Sequence, residues 1–367
     1  MQLGIPNENR DGSLNENRVS ATPDVIKKII KAGFSVVVED GAGMHAGFFN
    51  EDYVKAGAKV GDVAEVFGAD VVFKINPPTA QEAEFLREKC VLLSLIFSHE
   101  NKNLVDFLKN KKITVFAMEK LPRTSRAQSM DVLSSQANIA GYRAVIEAGA
   151  HYGRFLPLMM TSAGMAKPAR VIVLGAGVAG LQAIATAKRL GANVEAYDVR
   201  PEVREQIESL GGKFIELKMH ESGAGTGGYA KELSEEGKKE QQRLLTEKLK
   251  TADIIVATAA IPGRKAPTLI TKEAVDGMRR GSVVIDLAAA TGGNCECTQN
   301  GKVITTDNGI KIVGTTNYPS LVPADASLFF GNNLYNFLVL LGPNLKINFE
   351  DDLVAGTCIT YNGEMRQ

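Results

Sequence analysis

The chain has no tryptophan, only four histidines and four cysteines in 367 residues, and no net charge. Each shortage removes a class of function. Basic and acidic residues number 42 each, which argues against a nucleic-acid surface or attraction to an anionic membrane. Cys90, Cys295, Cys297 and Cys358 are too scattered for a disulfide framework. Cys295-Glu296-Cys297 has no companion His or Cys cluster, so it is read as a reduced pair and no metal is expected. None of His45, His99, His151 and His220 forms a recognisable pair with a carboxylate, whereas an alcohol or amine dehydrogenase disposes of a proton usually through a His or Lys base. No apolar run approaches the roughly 20 residues that cross a bilayer; near the end the longest is Phe337–Leu341. The opening, Met1-Gln2-Leu3-Gly4-Ile5-Pro6, leads straight into polar residues and does not read as a signal peptide. With 44% hydrophobic and 23% charged residues, the expectation is a soluble globular protein of about two domains.

Glycine, by contrast, is plentiful at 36 residues, and one cluster has a full context. Gly175-Ala176-Gly177-Val178-Ala179-Gly180 follows the apolar run Ala169–Leu174 and precedes the helical stretch Leu181–Leu190. A second strand-like run, Asn193–Tyr197, then closes on Asp198. Strand, glycine turn, helix, strand and acid together specify a dinucleotide-binding unit, where a bare glycine pattern would not. Gly175 permits the tight turn, Gly177 lets a pyrophosphate approach the backbone, and Gly180 lets the helix pack on the strand. Val178 and Ala179 lie in the cofactor-binding turn, and the N-terminus of the helix that follows offers free N–H groups and a dipole that favour phosphate. Asp198, followed by Val199 and Arg200, is placed to accept hydrogen bonds from the adenosine ribose, which favours NAD over NADP. Arg200 complicates that preference, because an arginine in this turn can host a 2′-phosphate. The Gly41–Gly47 segment also follows a strand, but its spacing is wrong and no acid closes a later strand, so it reads as a loop.

The rest alternates short apolar runs with amphipathic stretches. Ser35–Val38, Asp70–Ile75, Val91–Phe97 and Ile113–Ala117 read as buried parallel strands, with helices at Pro23–Ala32 and Asn103–Lys109. A second set of strands is expected near Val171–Leu174, Val194–Tyr197, Phe214–Glu216, Ile254–Thr258, Val283–Asp286 and Lys311–Val313. The predicted fold class is α/β, with two Rossmann-like doubly wound parallel-sheet domains flanking a cleft. Residues 1–125 and 325–367 would form a discontinuous first domain, completed by a helix over Ala326–Leu341, and residues 126–324 the NAD(H)-binding domain. Ser125–Ala150 is predicted as one long helix or two abutting ones. On it Gln128, Asp131, Ser135 and Asn138 would share a face, either a solvated one or one suited to recognising a carboxamide. The glycine-rich His220–Tyr229, followed by a charged helix over Ala230–Lys250, is either a mobile lid or a connector. Lys74, ending a strand, is a base, a carboxylate anchor or a surface lysine.

From Ile5 to about Thr360 the chain resembles the NAD(H)-binding domain, called domain I or alpha subunit, of proton-translocating nicotinamide nucleotide transhydrogenase. The most specific match is Pro122–Ser135, which resembles the family loop whose Arg, Gln, Asp and Ser surround the nicotinamide; these fall on Arg123, Gln128, Asp131 and Ser134. Ala140–Val145, Gly175–Lys188, Ile261-Pro262-Gly263 and Gly292–Cys295 are also similar. Gly227-Gly228-Tyr229-Ala230-Lys231 resembles the family's mobile loop, whose tyrosine closes on nucleotide. The catalytic set implied is Arg123, Gln128, Asp131, Ser134 and Tyr229. Thr124, Ser125, Ser129, Met130, Val132, Leu133, Gly228, Gln241 and Ala260 complete the expected cofactor-binding set.

Alanine dehydrogenase shares the fold, and Glu16-Asn17-Arg18-Val19 and Lys74 resemble its carboxylate-binding residues. The chain departs from it twice: Phe97 stands where that enzyme has its catalytic His, and Ala290 where it has an Asp shortly after the strand aspartate, here Asp286. His99 lies two positions from the required place. Direct hydride transfer between nicotinamides needs neither acid nor base. The resemblance implies bound NAD(H), with NADP(H) held by a partner domain III and protons conducted by a membrane domain II. It also implies a homodimer, peripheral to the cytoplasmic side of a bacterial inner membrane or the matrix side of an organelle. The chain would be a separate subunit or one piece of a longer polypeptide. The rival readings are an amino-acid dehydrogenase and a non-catalytic NAD-sensing module.

Overall fold

Runs of branched apolar residues shielded on both faces form short parallel strands, and this sequence builds two such sheets. The computed structural model describes residues 1–10, 12, 15–217, 234–260, 264–342 and 344–366. They divide into two units, Met1–Gln136 with Pro319–Gln367, and Ala137–Tyr318.

In the first unit the strands are β1 (Gln2–Ile5), β2 (Ser35–Glu39), β3 (Lys59–Gly61), β4 (Val71–Phe73), β5 (Val91–Ser94) and β6 (Thr114–Ala117). The C-terminal strands β16 (Cys358–Tyr361) and β17 (Glu364–Met365) join them. The order is β17-β16-β6-β5-β4-β1-β2-β3, parallel from β3 to β6, with β16 antiparallel to β6. The polypeptide therefore winds outward in both directions from the β1/β4 pair. Its helices are α1 (Pro23–Lys31), α2 (Asn50–Lys55), α3 (Val63–Phe67), α4 (Ala80–Phe85) and α5 (Lys102–Asn110), then the start of α6 (Val132–Tyr152), and finally α11 (Pro323–Leu341) and α12 (Asp352–Thr357). α1 shows why it forms: Pro23 fixes the first turn, Lys28 and Lys31 complement the C-terminal dipole, and Val25, Ile26 and Ile29 are fully buried. α11 supplies Phe330, Leu334 and Phe337 to the same core, where Phe337 meets Phe116 edge to face at 5.1 Å.

The second unit repeats the plan. Its strands are β9 (Arg170–Leu174), β10 (Asn193–Tyr197), β11 (Lys213–Phe214), β12 (Ile254–Ala257), β13 (Val283–Asp286), β14 (Val303–Thr305) and β15 (Lys311–Val313), after a separate hairpin of β7 (Met159–Thr161) and β8 (Gly164–Ala166). The order β11-β10-β9-β12-β13-β15-β14 is parallel except at the β14 edge. Helices α7 (Val178–Arg189), α8 (Arg204–Ser209), α9 (Glu235–Leu249) and α10 (Lys272–Asp276) accompany the remainder of α6. Both sheets are Rossmann-like and doubly wound, as the sequence predicts.

Some local expectations fail. Ser125–Ala150 is not continuous helix: Ser125–Met130 forms 3₁₀ turns, Asp131 is extended (φ −77°, ψ 93°), and only then does α6 begin. Gln128 and Asp131 therefore share no helical face with Ser135 and Asn138. β5 ends at Ser94, short of Phe97, because the Ile96 and Phe97 amides leave the sheet and donate to the Glu119 carboxylate. No helix among the described residues is long and apolar enough to cross a membrane.

Candidate functional site

In an open α/β sheet the ligand crevice lies at the carboxyl ends of the two strands where the winding reverses. In the second unit these are β9 and β12. β9 runs into Gly175, whose φ of +91° only glycine adopts easily, and whose absent Cβ would stand 2.8 Å from Thr258 Oγ1. Thr258, leaving β12, donates to the Leu174 and Gly175 carbonyls at 3.1 and 3.0 Å, so the two loops are stitched together. Gly180 allows α7 to settle: a Cβ there would lie 1.8 Å from the Gly175 carbonyl oxygen. Gly141 does the same for α6, since a Cβ would come within 2.0 Å of the Ala179 carbonyl oxygen. Gly177 differs. A Cβ there would meet nothing within 4 Å, and Gly177 is exposed and caps α7 without a side-chain acceptor for the first-turn amides. An uncapped helix start behind a glycine turn is an arrangement that can take a phosphate group.

Asp198, after β10, is almost buried and holds the turn from the other side, accepting from the Ala176 amide at 2.7 Å. It also accepts from the Arg200 amide and from the Arg200 Nε and terminal nitrogens. Burial pushes this carboxyl upward, but the Arg200 guanidinium and the Ala176 and Arg200 amides outweigh it and hold it below the usual carboxylate range. Val178 and Val199 flank the turn with exposed apolar side chains. Gln241 on α9 donates to the Tyr197 hydroxyl at 2.8 Å; burial pushes that phenol up to about 12. Ala260 is exposed, just past Ala259.

Sequence reasoning missed what fixes that last loop. Asn294 is fully buried, accepts from the Ala259 amide at 3.1 Å, and donates to the Ala259 and Pro267 carbonyls at 2.8 Å each. Asp286, fully buried at the end of β13, accepts from the Asn294 and Cys295 amides and the Thr298 hydroxyl. The signal available was an acid ending an apolar strand ahead of Gly292-Gly293-Asn294. The four cysteines are free thiols, and burial pushes Cys295 up to about 12.

In the first unit, Arg123–Ser134 follows β6 and runs into the first turn of α6. Arg123, Thr124, Ser125, Gln128 and Ser129 are exposed, Met130 is half-buried, Val132 is buried and Leu133 is exposed. Among the described residues the Arg123 guanidinium and Gln128 amide have no hydrogen-bond partner. Asp131, by contrast, is committed: its carboxylate accepts from the Ser134 amide at 2.9 Å and hydroxyl at 2.6 Å, capping α6. The segment is clamped from α11, where Asn333 and Asn336 both donate to the Ser129 carbonyl, at 2.8 and 2.9 Å. Arg126 forks onto Asp351 at the start of α12, with both bonds 2.8 Å.

Among the described residues, the β1/β4 reversal of the first unit holds no glycine turn like that of the second. Lys74, just beyond β4 and only 1% exposed, is neither a surface lysine nor free. Its ammonium lies 2.8 Å from Glu8 and 3.5 Å from Glu82. Burial pushes the amine down, but Glu8 and Glu82 outweigh this, raise it above the ordinary range and keep it protonated. Glu8 also accepts from the Ile75 amide at 2.6 Å, and Arg18 forks onto Glu16 and donates to Gln136. Among the described residues, these strand ends therefore carry a buried network of the chain's own paired charges. The expected contacts at Gly227, Gly228, Tyr229 and Lys231, the lid or connector around them, and Ile261-Pro262-Gly263 lie outside the described residues.

Comparisons with known proteins agree along the whole chain. The family described as alanine dehydrogenase/PNT matches through its N-terminal domain at residues 4–140 and its C-terminal domain at residues 144–367. The NAD(P) transhydrogenase subunit alpha of Haemophilus influenzae is 49% identical over 368 residues, covering 99% of this chain and 71% of that protein. The first portion of the NAD(P) transhydrogenase subunit alpha of Rhodospirillum rubrum is 48% identical over 379 residues, covering 99% of this chain and 97% of that protein. Among solved structures, the transhydrogenase from Sinorhizobium meliloti superposes with a TM-score of 0.91 at 44% identity, covering 100% of both chains.

Proposed function

Given that the chain belongs to the alanine dehydrogenase/PNT family, we propose that it is the NAD(H)-binding component of a proton-translocating nicotinamide nucleotide transhydrogenase. The observation that carries the reading is the cradle at Gly175–Gly180, open at Gly177 and closed elsewhere, with Asp198 behind it. The nicotinamide supplies the hydride, which goes to NADP⁺ on partner domain III, coupled to proton movement through membrane domain II. Gly175, Gly177, Val178, Ala179 and Gly180 receive the pyrophosphate; Asp198, Val199 and Arg200 flank the adenosine ribose; Gln241 and Ala260 line the same edge. Arg123 and Gln128, exposed and with no side-chain hydrogen-bond partner among the described residues, orient the nicotinamide end, and Asp131 and Ser134 fix the loop that presents them, with Thr124, Ser125, Ser129, Met130, Val132 and Leu133 alongside. Gly228 and Tyr229 close over the nucleotide. Orientation and exclusion of water carry the rate, because no proton moves at this site. The homodimer reading is supported by the β7–β8 hairpin, whose Met159, Met160 and Met165 are exposed beside Phe155 and Leu158. The complex would sit at the cytoplasmic side of a bacterial inner membrane or the matrix side of an organelle.

The alternative, an alanine-dehydrogenase-like enzyme, is disfavoured by Phe97 and Ala290 at its two catalytic positions and by Lys74 locked as an ammonium. The test is to titrate the chain with NADH and NADPH, then add a transhydrogenase NADP(H)-binding domain and follow hydride exchange. NADH should bind at least roughly tenfold more tightly than NADPH. Gln128→Asn should keep NADH affinity within a few-fold but sharply lower single-turnover transfer at an unchanged melting temperature. Oxidation of L-alanine by the chain alone would overturn the reading.

A further inference from the structure

Asp198 has no acceptor position to spare. Its Oδ1 accepts from the Arg200 amide at 2.9 Å and Arg200 Nε at 3.0 Å. Its Oδ2 accepts from the Ala176 amide at 2.7 Å and an Arg200 terminal nitrogen at 3.0 Å. A carboxylate offers about four acceptor sites, so a ribose diol finds all of them taken. The two backbone donors belong to the turn and stay. The other two belong to one side chain, which is 45% exposed and hangs on a flexible stem, whereas the carboxylate is 6% exposed and fixed.

We propose that Arg200 is a specificity-determining residue that acts by competition: its guanidinium stands in for the two ribose hydroxyls on Asp198, and an incoming NAD(H) must displace it toward solvent. This rests on the NAD(H)-binding reading above. A guanidinium forked on a carboxylate is planar and bidentate, the same geometry it would use on a phosphate. While Asp198 holds it, Arg200 is withdrawn from the place where a 2′-phosphate would need a cation, and the carboxylate repels that phosphate as well. One ion pair thus both tempers NAD(H) affinity and suppresses NADP(H) binding.

The experiment titrates NADH and NADPH into the full chain and four variants, with thermal melts confirming that each is folded. Arg200→Lys keeps the charge and loses the fork; Arg200→Gln loses both. Both should bind NADH roughly two- to fivefold more tightly, the range a half-exposed ion pair allows, with no gain for NADPH. Asp198→Asn keeps an oxygen for the Ala176 amide but frees Arg200, so NADPH should bind roughly tenfold better; adding Arg200→Gln to it should abolish the gain. NADH binding that is unchanged or weaker in both Arg200 variants overturns the competition. An NADPH gain that survives in the double variant overturns the withheld cation. If the unaltered chain binds no NADH, the functional reading falls and this inference with it; if it binds and the Arg200 variants behave like it, only the inference falls.

Discussion

Substituting Gly177 by alanine separates a glycine kept for a ligand from one kept for the fold. The residue sits at φ −76°, ψ −169°, a conformation alanine adopts freely, and its new methyl group would touch nothing within 4 Å. Replacing glycine by alanine at a compatible position stabilises by about 0.4–1 kcal/mol, because the unfolded chain loses freedom. For a unit of this size that is a rise in melting temperature of roughly 1–4 °C. The same methyl group occupies the opening through which a pyrophosphate reaches the α7 amides. A hydrogen bond to a charged group contributes about 1.5–3 kcal/mol, so losing even one weakens NADH by roughly 10- to 150-fold. Gly180→Ala is the contrast: its methyl would lie 1.8 Å from a backbone oxygen, an overlap that costs more than the 1–3 kcal/mol of ordinary overpacking. Calorimetric melts and NADH fluorescence titrations on the same preparations read both effects. If Gly177→Ala melts as low as Gly180→Ala, or binds NADH as the unaltered chain does, the cradle is misassigned.

Gly141→Ala should lower the melting temperature and NADH affinity together, because its methyl would sit 2.0 Å from the Ala179 carbonyl oxygen and push α6 from the α7 N-terminus; melts and titrations should move in step. Lys74→Met should cost about 3–5 kcal/mol in urea unfolding, since it leaves the buried Glu8 carboxylate uncompensated, and adding Glu8→Gln should recover some of that loss. The Asp198 carboxyl is depressed in the folded protein, so its stabilisation is complete above its ordinary value of 3.8 and disappears as pH falls through the folded value. The stability gap between the unaltered chain and Asp198→Asn should therefore be constant from pH 7 to 5 and begin to narrow only below the ordinary value of 3.8 in urea titrations.

Where the sequence was legible, one element carried several independent signals at once. β9, the glycine turn, α7, β10 and Asp198 could be located because an apolar run, three spaced glycines and an acid all have to coincide for that unit to work. β1 and β3 were not anticipated: three or four residues containing a glycine give no alternation to read. α2, α3 and α4 are five or six residues long, too short for a helical period to declare itself. The polar stripe through Gln128 and Asp131 was misread because side-chain spacing cannot reveal where a helix starts. Asp131 three residues before Ser134, ahead of an apolar run, was the cap signal that locates it. Lys74 illustrates a different limit. Its partner Glu8 is 66 residues away, and nothing local distinguishes a buried ammonium from a solvated one.

The first unit is assembled from residues on either side of the second, with β16 and α11 arriving only after Tyr318. On the ribosome, β6 therefore emerges long before the strand that covers its edge, and Phe116 before the phenylalanine it packs against. At about 5–20 residues per second, that edge stays open for tens of seconds while the whole second unit is made. Translation order and folding order thus run differently: the unit begun second is complete first. A premature stop near the C-terminus would injure the sheet that contains residue 2.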